Sequence, residues 1–260
     1  MLGVSIVQCA IGVTLLLWFV RRGRSIIDIA HWRYALVFGL PLIPHVLANL
    51  LLAQSDRLMI NHFLGPEMTG IYTLGYQIGE LPQFIWYATN TVWVAWSYRM
   101  MRQGNYDIIQ QKARPYLISF TAMTLILMVT VTWATHMLAP QAYRGAGPVI
   151  PVVMAGTYVI LLYSFPVNLT FYAKRTGLIS AATVLATAVN IGLNWWLLPK
   201  IGYLAAAWTT VIAYAVLFLL NLVIVRWVVR SPVRFDTWRM IGLGSLVVGS
   251  ACILCHVFDP

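Results

Sequence analysis

Eight long runs of apolar residues follow one another along the chain, separated by short polar segments. A transmembrane helix needs about 20 consecutive, mostly apolar residues, and each run approaches or exceeds that length. None shows the strict alternation that is typical of a membrane-spanning β-strand. The pattern therefore predicts an all-α membrane protein with about eight transmembrane helices. The predicted helices cover residues 2–20, 36–63, 70–98, 116–138, 149–172, 178–198, 203–227 and 238–257.

The composition supports a membrane protein and argues against a nucleic-acid partner. Hydrophobic residues make up 60% of the 260 residues and charged residues only 9%. A soluble domain carries about 25% charged residues, so this chain cannot cover a water-exposed surface. The formal net charge of +10 comes from short basic clusters between the apolar runs. That distribution is typical of the cytoplasmic loops of membrane proteins.

The same basic clusters predict the orientation of the chain. When the loops and helix ends are assigned alternately to two sides, one side receives 14 Lys and Arg residues and the other receives three. Because Lys and Arg are enriched on the cytoplasmic side, we expect both termini to lie outside the cytoplasm. An external N-terminus without a basic flank leads us to expect that the chain is the last part of a longer protein. The predicted cytoplasmic segments are 21–34, 99–115, 173–177 and 228–237.

Five of the predicted helices carry polar side chains along one face, since positions three or four residues apart share a face. Such side chains can hydrogen-bond neighbouring helices together, or they can line a hydrated cavity. Five polar faces, one of which carries a carboxylate deep in its span, favour the cavity. These faces contain His45, Asn49 and Asp56; Tyr72, Tyr76, Glu80, Gln83, Tyr87, Asn90 and Ser97; Thr157, Ser164, Asn168 and Tyr172; Thr183, Thr187, Asn190 and Asn194; and Thr210, Tyr214 and Asn221.

Three charged residues lie inside or beside the predicted spans. Asp56, Arg57 and Glu80 flank a Gly-Pro turn, and we expect the turn to make the two helices antiparallel and to bring the three charges to similar depth. An unpaired charge at the bilayer centre costs at least about 2.5–3.5 kcal/mol, so each needs a partner or water. We expect Arg57 to reach Glu80 or a phosphate, and Asp56 to turn toward Asn49. Alternatively, Arg57 extends to the nearby membrane surface.

No metal or cofactor site is expected from the sequence. Cys252 and Cys255 form a CxxC pair within an apolar span, but neither a second pair nor a histidine cluster accompanies it. Cysteines in such surroundings more often serve as small apolar side chains.

Three stretches resemble a known family of membrane proteins. These are LPLIPHVLANLLLAQSDRLMINHFLGPEMTGIYTLGYQIG (40–79), YAKRTG (172–177) and NIGLNWWLLPKIGYLAAAWTTVIAY (190–214). Their order and spacing are similar to those of bacterial polysaccharide exporters, the flippases of lipid-linked oligosaccharides in O-antigen and exopolysaccharide pathways. That family belongs to the MOP superfamily, whose members have two six-helix lobes and also include multidrug antiporters.

The resemblance implies a domain organisation. Residues 1–20 would be the last helix of an N-terminal lobe that is otherwise missing, and 21–35 a basic cytoplasmic linker. Residues 36–230 would form the six-helix C-terminal lobe, and 231–260 an additional transmembrane helix. It also implies a multi-pass protein of the bacterial inner membrane with periplasmic termini.

The function implied by the resemblance is transport. The chain would translocate undecaprenyl-diphosphate-linked polysaccharide repeat units, alone or with another polypeptide that supplies the missing lobe. The lipid-linked oligosaccharide, the lipid bilayer and a coupling cation are the implied partners, and no enzymatic activity is expected. The residues expected to line the substrate path are Asp56, Arg57, Glu80, Tyr76, Gln83, Asn90, His45, Asn49, Asn168, Asn190, Asn194, Lys174 and Arg175.

Three alternatives stay open. A cation-coupled multidrug antiporter of the same superfamily would also place a carboxylate inside the membrane. The chain could be a remnant that does not transport. A membrane enzyme acting on lipid-linked sugars is least favoured, because the short outward loops contain no convergent catalytic groups.

Overall fold

The computed structural model describes residues 2–22 and 29–258, and these form helices joined by short turns, with no strand among them. Contacts divide the chain into two units, Met1–Pro41 and Leu42–Pro260. The prediction of an all-α protein is confirmed. The α-helices are α1 (Leu2–Arg22), α2 (Ile29–Gly39), α3 (Leu42–Gly79), α4 (Leu81–Arg102), α5 (Tyr106–Leu138), α6 (Val149–Tyr172), α7 (Thr176–Ile201), α8 (Leu204–Val223) and α9 (Thr237–Val257).

The first unit contains α1 and α2. Large apolar side chains along α1, among them Ile6 and Leu16, are exposed, as suits a helix surrounded by lipid. The predicted linker 21–35 is partly helical, because α2 already begins at Ile29. Residues 23–28 lie outside the described residues.

The second unit opens with a helical hairpin inside α3. Gly65 has φ 87° and ψ 176°, a left-handed conformation that glycine adopts without a steric penalty. Pro66 follows and begins the second arm, since proline is tolerated in the first turn of a helix. The prediction of antiparallel neighbouring helices is confirmed, because the Tyr72 hydroxyl reaches the Asp56 carboxylate across the hairpin. We call residues 42–64 the first arm of α3 and residues 66–79 the second arm.

Two predicted spans are interrupted in the structure. The predicted helix 36–63 is broken at Leu40 and Pro41, between α2 and α3. The predicted helix 70–98 is broken at Glu80, between α3 and α4, where Pro82 cannot donate a backbone hydrogen bond. The polar face predicted along 70–98 is therefore divided between two helices.

The core of the second unit lies around α6. Nearly all side chains of α6 are buried, and α3, α4, α5, α8 and α9 all pack against it. The second arm of α3 approaches it closely. A Cβ atom added at Gly75 or Gly79 would lie 2.7 Å or 2.6 Å from the Cβ of Val149 or Val153. Glycine at these two positions lets the two backbones approach.

The predicted count of eight spans is not confirmed. By length and composition, six helical segments of the described chain could cross a membrane. The first of them, His31–Arg102, contains the hairpin and both interrupted spans. The predicted loop 99–115 is mostly helical, because α4 continues to Arg102 and α5 already begins at Tyr106. The six segments are His31–Arg102, Tyr106–Leu138, Gln141–Tyr172, Thr176–Ile201, Leu204–Val229 and Thr237–Val257.

Candidate functional site: a buried carboxylate between three helices

The Asp56 carboxylate is the centre of a buried hydrogen-bond network. Its residue is 1% exposed, and both oxygens accept hydrogen bonds. Oδ1 accepts from the Asn194 amide at 2.6 Å, and Oδ2 accepts from the hydroxyls of Tyr72 at 3.0 Å and Thr210 at 2.7 Å. Asp56 thus joins the two arms of α3 to α7 and α8.

A second layer of polar side chains holds these partners in place. The Thr209 hydroxyl donates to the side-chain oxygen of Asn194. The Asn190 amide donates to Thr210 Oγ1 at 3.2 Å, and the Asn190 Oδ1 accepts from Ser55 at 3.3 Å. Asn190 and Asn194 are one turn apart on α7, so both face the same neighbours. The network is fully buried, and its members orient one another.

Asp56 has no basic partner among residues 2–22 and 29–258, since no Lys, Arg or His nitrogen lies within 4 Å of its oxygens. The adjacent Arg57 points away. Its guanidinium donates to Gln54 Oε1 at 2.9 Å and to the Ala53 carbonyl at 3.1 Å, and it lies 4.6 Å from the ring centroid of Tyr76. Adjacent residues on a helix diverge by about 100°, which explains the separation.

Of the two partners expected for Arg57, Glu80 is not paired with it in the described chain, because no ion pair joins them within 4 Å; a phosphate partner stays a prediction. Tyr72, and not Glu80, lies opposite Asp56. Glu80 is eight residues further along, which corresponds to about 12 Å along the helix axis. Glu80 therefore lies at a different depth from Asp56, and the expectation that all three charges share one depth is wrong.

The expected turn of Asp56 toward Asn49 is also wrong. Asn49 instead donates to the His45 Nε2 at 3.1 Å, and the His45 Nδ1 is hydrogen-bonded to Thr183 at 2.7 Å. Thr187 adds a bond to the Ala48 carbonyl at 3.1 Å. These residues form a second polar contact between the first arm of α3 and α7.

Tyr76 and Gln83 line a small cavity beside the network. Its volume of about 20 Å³ offers room for about one water molecule. Gln83 also donates to the Tyr87 hydroxyl at 2.6 Å. The shared hydrated cavity expected from the five polar faces stays a prediction, and in the second unit this small polar cavity adjoins the network. Its other polar lining residues are Thr157, Thr210 and Tyr214.

The remaining predicted site residues lie elsewhere. The Asn90 Oδ1 and the Asn168 Nδ2 are buried and have no hydrogen-bond partner in the part of the chain that the structure describes. Lys174 and Arg175 are exposed in the turn between α6 and α7. Arg175 is 19 residues from Asn194, or about 28 Å along α7. These residues do not join the Asp56 network.

Sequence reasoning missed part of the network. Tyr72 and Thr210 were placed on polar faces but were not chosen as site residues, and Ser55 and Thr209 were not singled out. A signal existed for Thr209, which precedes Thr210 in a run that is otherwise apolar. No comparable signal marks Ser55, because only the packing of α7 shows that it faces Asn190.

Comparisons with known proteins bear on the resemblance. Residues 1–101 match the model of a family described as polysaccharide biosynthesis protein. The resemblance is confirmed. Protein 1 of the Lsg locus of Haemophilus influenzae is 27% identical over 161 residues, which cover 61% of this chain and 40% of that protein. No solved structure matches the chain.

A second relative from Haemophilus influenzae, described as an uncharacterized membrane protein, is 27% identical over 162 residues. These residues again cover 61% of this chain and 40% of the relative. The chain thus matches about two fifths of the length of these relatives. Its apolar helices and these matches indicate a membrane protein related to polysaccharide biosynthesis.

Proposed function

We propose that the chain takes part in translocating lipid-linked polysaccharide repeat units across the bacterial inner membrane, in O-antigen or exopolysaccharide synthesis. It acts in transport and not in enzymatic catalysis. The family match and the Lsg-locus relative support a role in polysaccharide biosynthesis. The apolar helices support a role within the bilayer. In this proposal the cytoplasmic side is the one with the excess of Lys and Arg.

The observation that carries the transport proposal is Asp56. A carboxylate that is 1% exposed and has no basic partner among the described residues is costly within a membrane, and such groups mark ion and proton pathways. In our proposal Asp56 binds a coupling cation, either a proton or a metal ion such as Na⁺. Cation binding would then be linked to the packing of α3 against α7 and α8, because Asp56 holds these helices together.

The linkage to conformation follows from how the network is built. Two of the three donors to Asp56 belong to α7 and α8, and the third belongs to the second arm of α3. A cation that takes over the carboxylate oxygens would release these donors. A ligand shifts a conformational equilibrium only by its difference in affinity between the states, and the broken hydrogen bonds supply such a difference.

The substitution Asp56→Asn tests this proposal in the native host. It preserves the shape and one acceptor oxygen but removes the charge. We expect the amount of surface polysaccharide to fall by about 5–150-fold, the factor that corresponds to a typical coupling free energy of about 1–3 kcal/mol. Lipid-linked repeat units should accumulate in the membrane. Glu67→Gln is the matched control, since Glu67 is exposed near the hairpin turn, and it should behave as wild type.

Two results would contradict the proposal. Normal export by Asp56→Asn would exclude cation coupling at this residue. If deletion of the gene leaves lipid-linked repeat units at their normal level, translocation itself is excluded. A multidrug antiporter would instead lose drug resistance in Asp56→Asn while surface polysaccharide is unchanged.

A further inference from the structure

A second polar site lies far along the chain from Asp56, between α5 and the segment that leads into α9. It is a pocket of about 200 Å³, smaller than the roughly 300–1,000 Å³ of pockets for drug-sized ligands. Three of its lining residues are arginines, Arg114, Arg234 and Arg239, and one is an acid, Asp236. The pocket therefore carries a formal excess of positive charge.

Two of the three arginines are not neutralised. Arg239 lies 3.5 Å from Asp236, and the Asp236 Oδ1 also accepts a hydrogen bond from the Arg239 backbone N–H at the start of α9. The guanidinium groups of Arg114 and Arg234 form neither an ion pair nor a hydrogen bond with any residue in 2–22 or 29–258. Both arginines are exposed, and they line one pocket from two different elements.

The pocket is built on a fixed segment. Phe235 packs edge-on against Phe165 of α6, with ring centroids 5.3 Å apart. Val233, two residues earlier, is 3% exposed. The chain between α8 and α9 is therefore anchored in the core, and this anchoring holds Arg234 at the mouth of the pocket.

The level of the pocket in the membrane follows from the neighbouring helices. α5 has 33 residues, about 50 Å, which exceeds the ~30 Å hydrocarbon core. Its apolar part is 116–138, so Arg114 lies just beyond the hydrocarbon. Trp238 is 84% exposed at the start of α9, as is typical of tryptophan at the headgroup level. The pocket thus lies at the membrane surface, on the side that is richer in Lys and Arg.

We propose that this pocket binds the phosphate of an anionic membrane phospholipid. Arginine pairs with phosphate through two parallel hydrogen bonds, and two unpaired guanidinium groups at headgroup level are suited to that geometry. Basic pockets between transmembrane helices on the cytoplasmic side bind anionic headgroups in this way. The bound lipid would connect α5 to α9 and would not take part in the transport that we propose for the Asp56 network.

The test measures lipid binding to the purified full chain. Phosphatidylglycerol is titrated into protein held in a neutral detergent, and bound lipid is counted by native mass spectrometry, with phosphatidylcholine as the neutral comparison. We expect phosphatidylglycerol to bind more tightly. The double change Arg114→Gln and Arg234→Gln should weaken its binding by about 30-fold, since each basic residue near an anionic surface contributes about fivefold.

Two further variants make the test specific. Arg102→Gln with Lys112→Gln removes two exposed charges on the same side but outside the pocket, and it should change the affinity by less than about threefold. Asp236→Asn keeps the helix cap but removes the negative charge from the pocket. It should bind phosphatidylglycerol more tightly than wild type does.

The outcomes separate the possible sources of the phosphate. If millimolar inorganic phosphate and pyrophosphate fail to displace phosphatidylglycerol, the site recognises a lipid headgroup, as proposed. If they displace phosphatidylglycerol from wild type, and themselves bind more weakly when Arg114 and Arg234 are changed, the site binds phosphate ions from solution. That outcome would overturn the proposal of a lipid ligand. Equal losses in both double variants, or no preference over phosphatidylcholine, would overturn the proposal.

Discussion

The two arms of α3 pack against the rest of the protein by opposite means. The first arm, 42–64, meets α7 through side-chain hydrogen bonds, from His45 at one end to Asp56 near the other. The second arm, 66–79, meets α6 through glycines that admit the valine side chains of the partner helix. One interface depends on polar partners and the other on close contact of backbones.

The difference bears on which interface can change during a transport cycle. Closely packed helices in a membrane are held by van der Waals contact, and this stabilisation is lost when the helices separate. Hydrogen bonds in the bilayer contribute only about 0.6 kcal/mol on average, because the groups find other partners when they separate. The polar interface can therefore exchange partners, for instance with a cation, while the glycine interface holds the second arm to the core.

The largest effect that we expect is at the polar interface. Asp56→Leu removes the shared acceptor and leaves Asn194, Tyr72 and Thr210 with buried donors. An unsatisfied buried donor costs about 1–3 kcal/mol, and because the hydroxyls can rotate to other acceptors, we expect a total loss of about 3 kcal/mol. The measurement is reversible unfolding in detergent micelles.

Asp56→Asn is the control for this loss, since it retains one acceptor oxygen. It should unfold close to wild type even though it abolishes the proposed coupling. If Asp56→Leu is as stable as wild type, the network does not hold α7 and α8 to α3.

The next effect is at the glycine interface. Gly79→Ala places a methyl group 2.6 Å from the Cβ of Val153, a distance that forces the helices apart. Overpacking of this kind costs about 1–3 kcal/mol. Gly70→Ala is the matched control, since no described atom beyond its own helix turn lies within 4 Å of a Cβ at that position of the same arm. Equal stability of the two variants in the same unfolding assay would show that α3 and α6 are not in close contact.

A single hydrogen bond should matter less than either change. Thr187→Val removes the bond from the Thr187 hydroxyl to the Ala48 carbonyl, which connects α7 to the first arm. We expect a loss of about 0.6 kcal/mol, the average for such bonds in membranes. Thr130→Val is the control, since the exposed Thr130 hydroxyl bonds to carbonyls of its own helix and to no other described residue. A loss above about 2 kcal/mol would mean that this contact holds the polar interface together.

The bounds of a helix could be predicted from the sequence where the apolar run and the helix coincide, and were missed where the helix extends beyond the run. The bounds of α6 were predicted correctly as 149–172, because turn residues flank a helix that is apolar over nearly its whole length. The beginning of α5 was missed by ten residues. A count of apolar residues detects only the part of a helix inside the membrane, and α5 continues beyond it with charged side chains such as Arg114.

The site was predicted in part, for a similar reason. Asp56, Asn190 and Asn194 were recognised as polar positions on helix faces, and the structure brings them together. Which faces meet depends on the packing of whole helices, so the roles of Ser55 and Thr209 could not be read from periodicity. The depth of Glu80 was misjudged because the predicted helix begins only at residue 70. The second arm already begins at Pro66, one turn earlier.

The smallest energy that we expect is the coupling between Arg57 and Glu80, and it distinguishes the contact between the two arms from an ion pair. Arg57 of the first arm lies over the Tyr76 ring of the second arm and forms no ion pair with Glu80. Arg57→Gln should therefore cost about 0.5–1 kcal/mol, the range of a partly exposed cation–π contact. The change Glu80→Gln should alter the stability independently of Arg57→Gln.

A double-mutant cycle of the two changes should give a coupling energy below about 0.5 kcal/mol, as for residues that share no direct contact. Tyr76→Leu supplies the matched comparison, because its cycle with Arg57→Gln removes a contact that the structure does contain and should give the larger coupling. A coupling of more than about 1 kcal/mol between Arg57 and Glu80 would mean that the two charges do meet within the membrane, and the polar interface would then extend across both arms of α3.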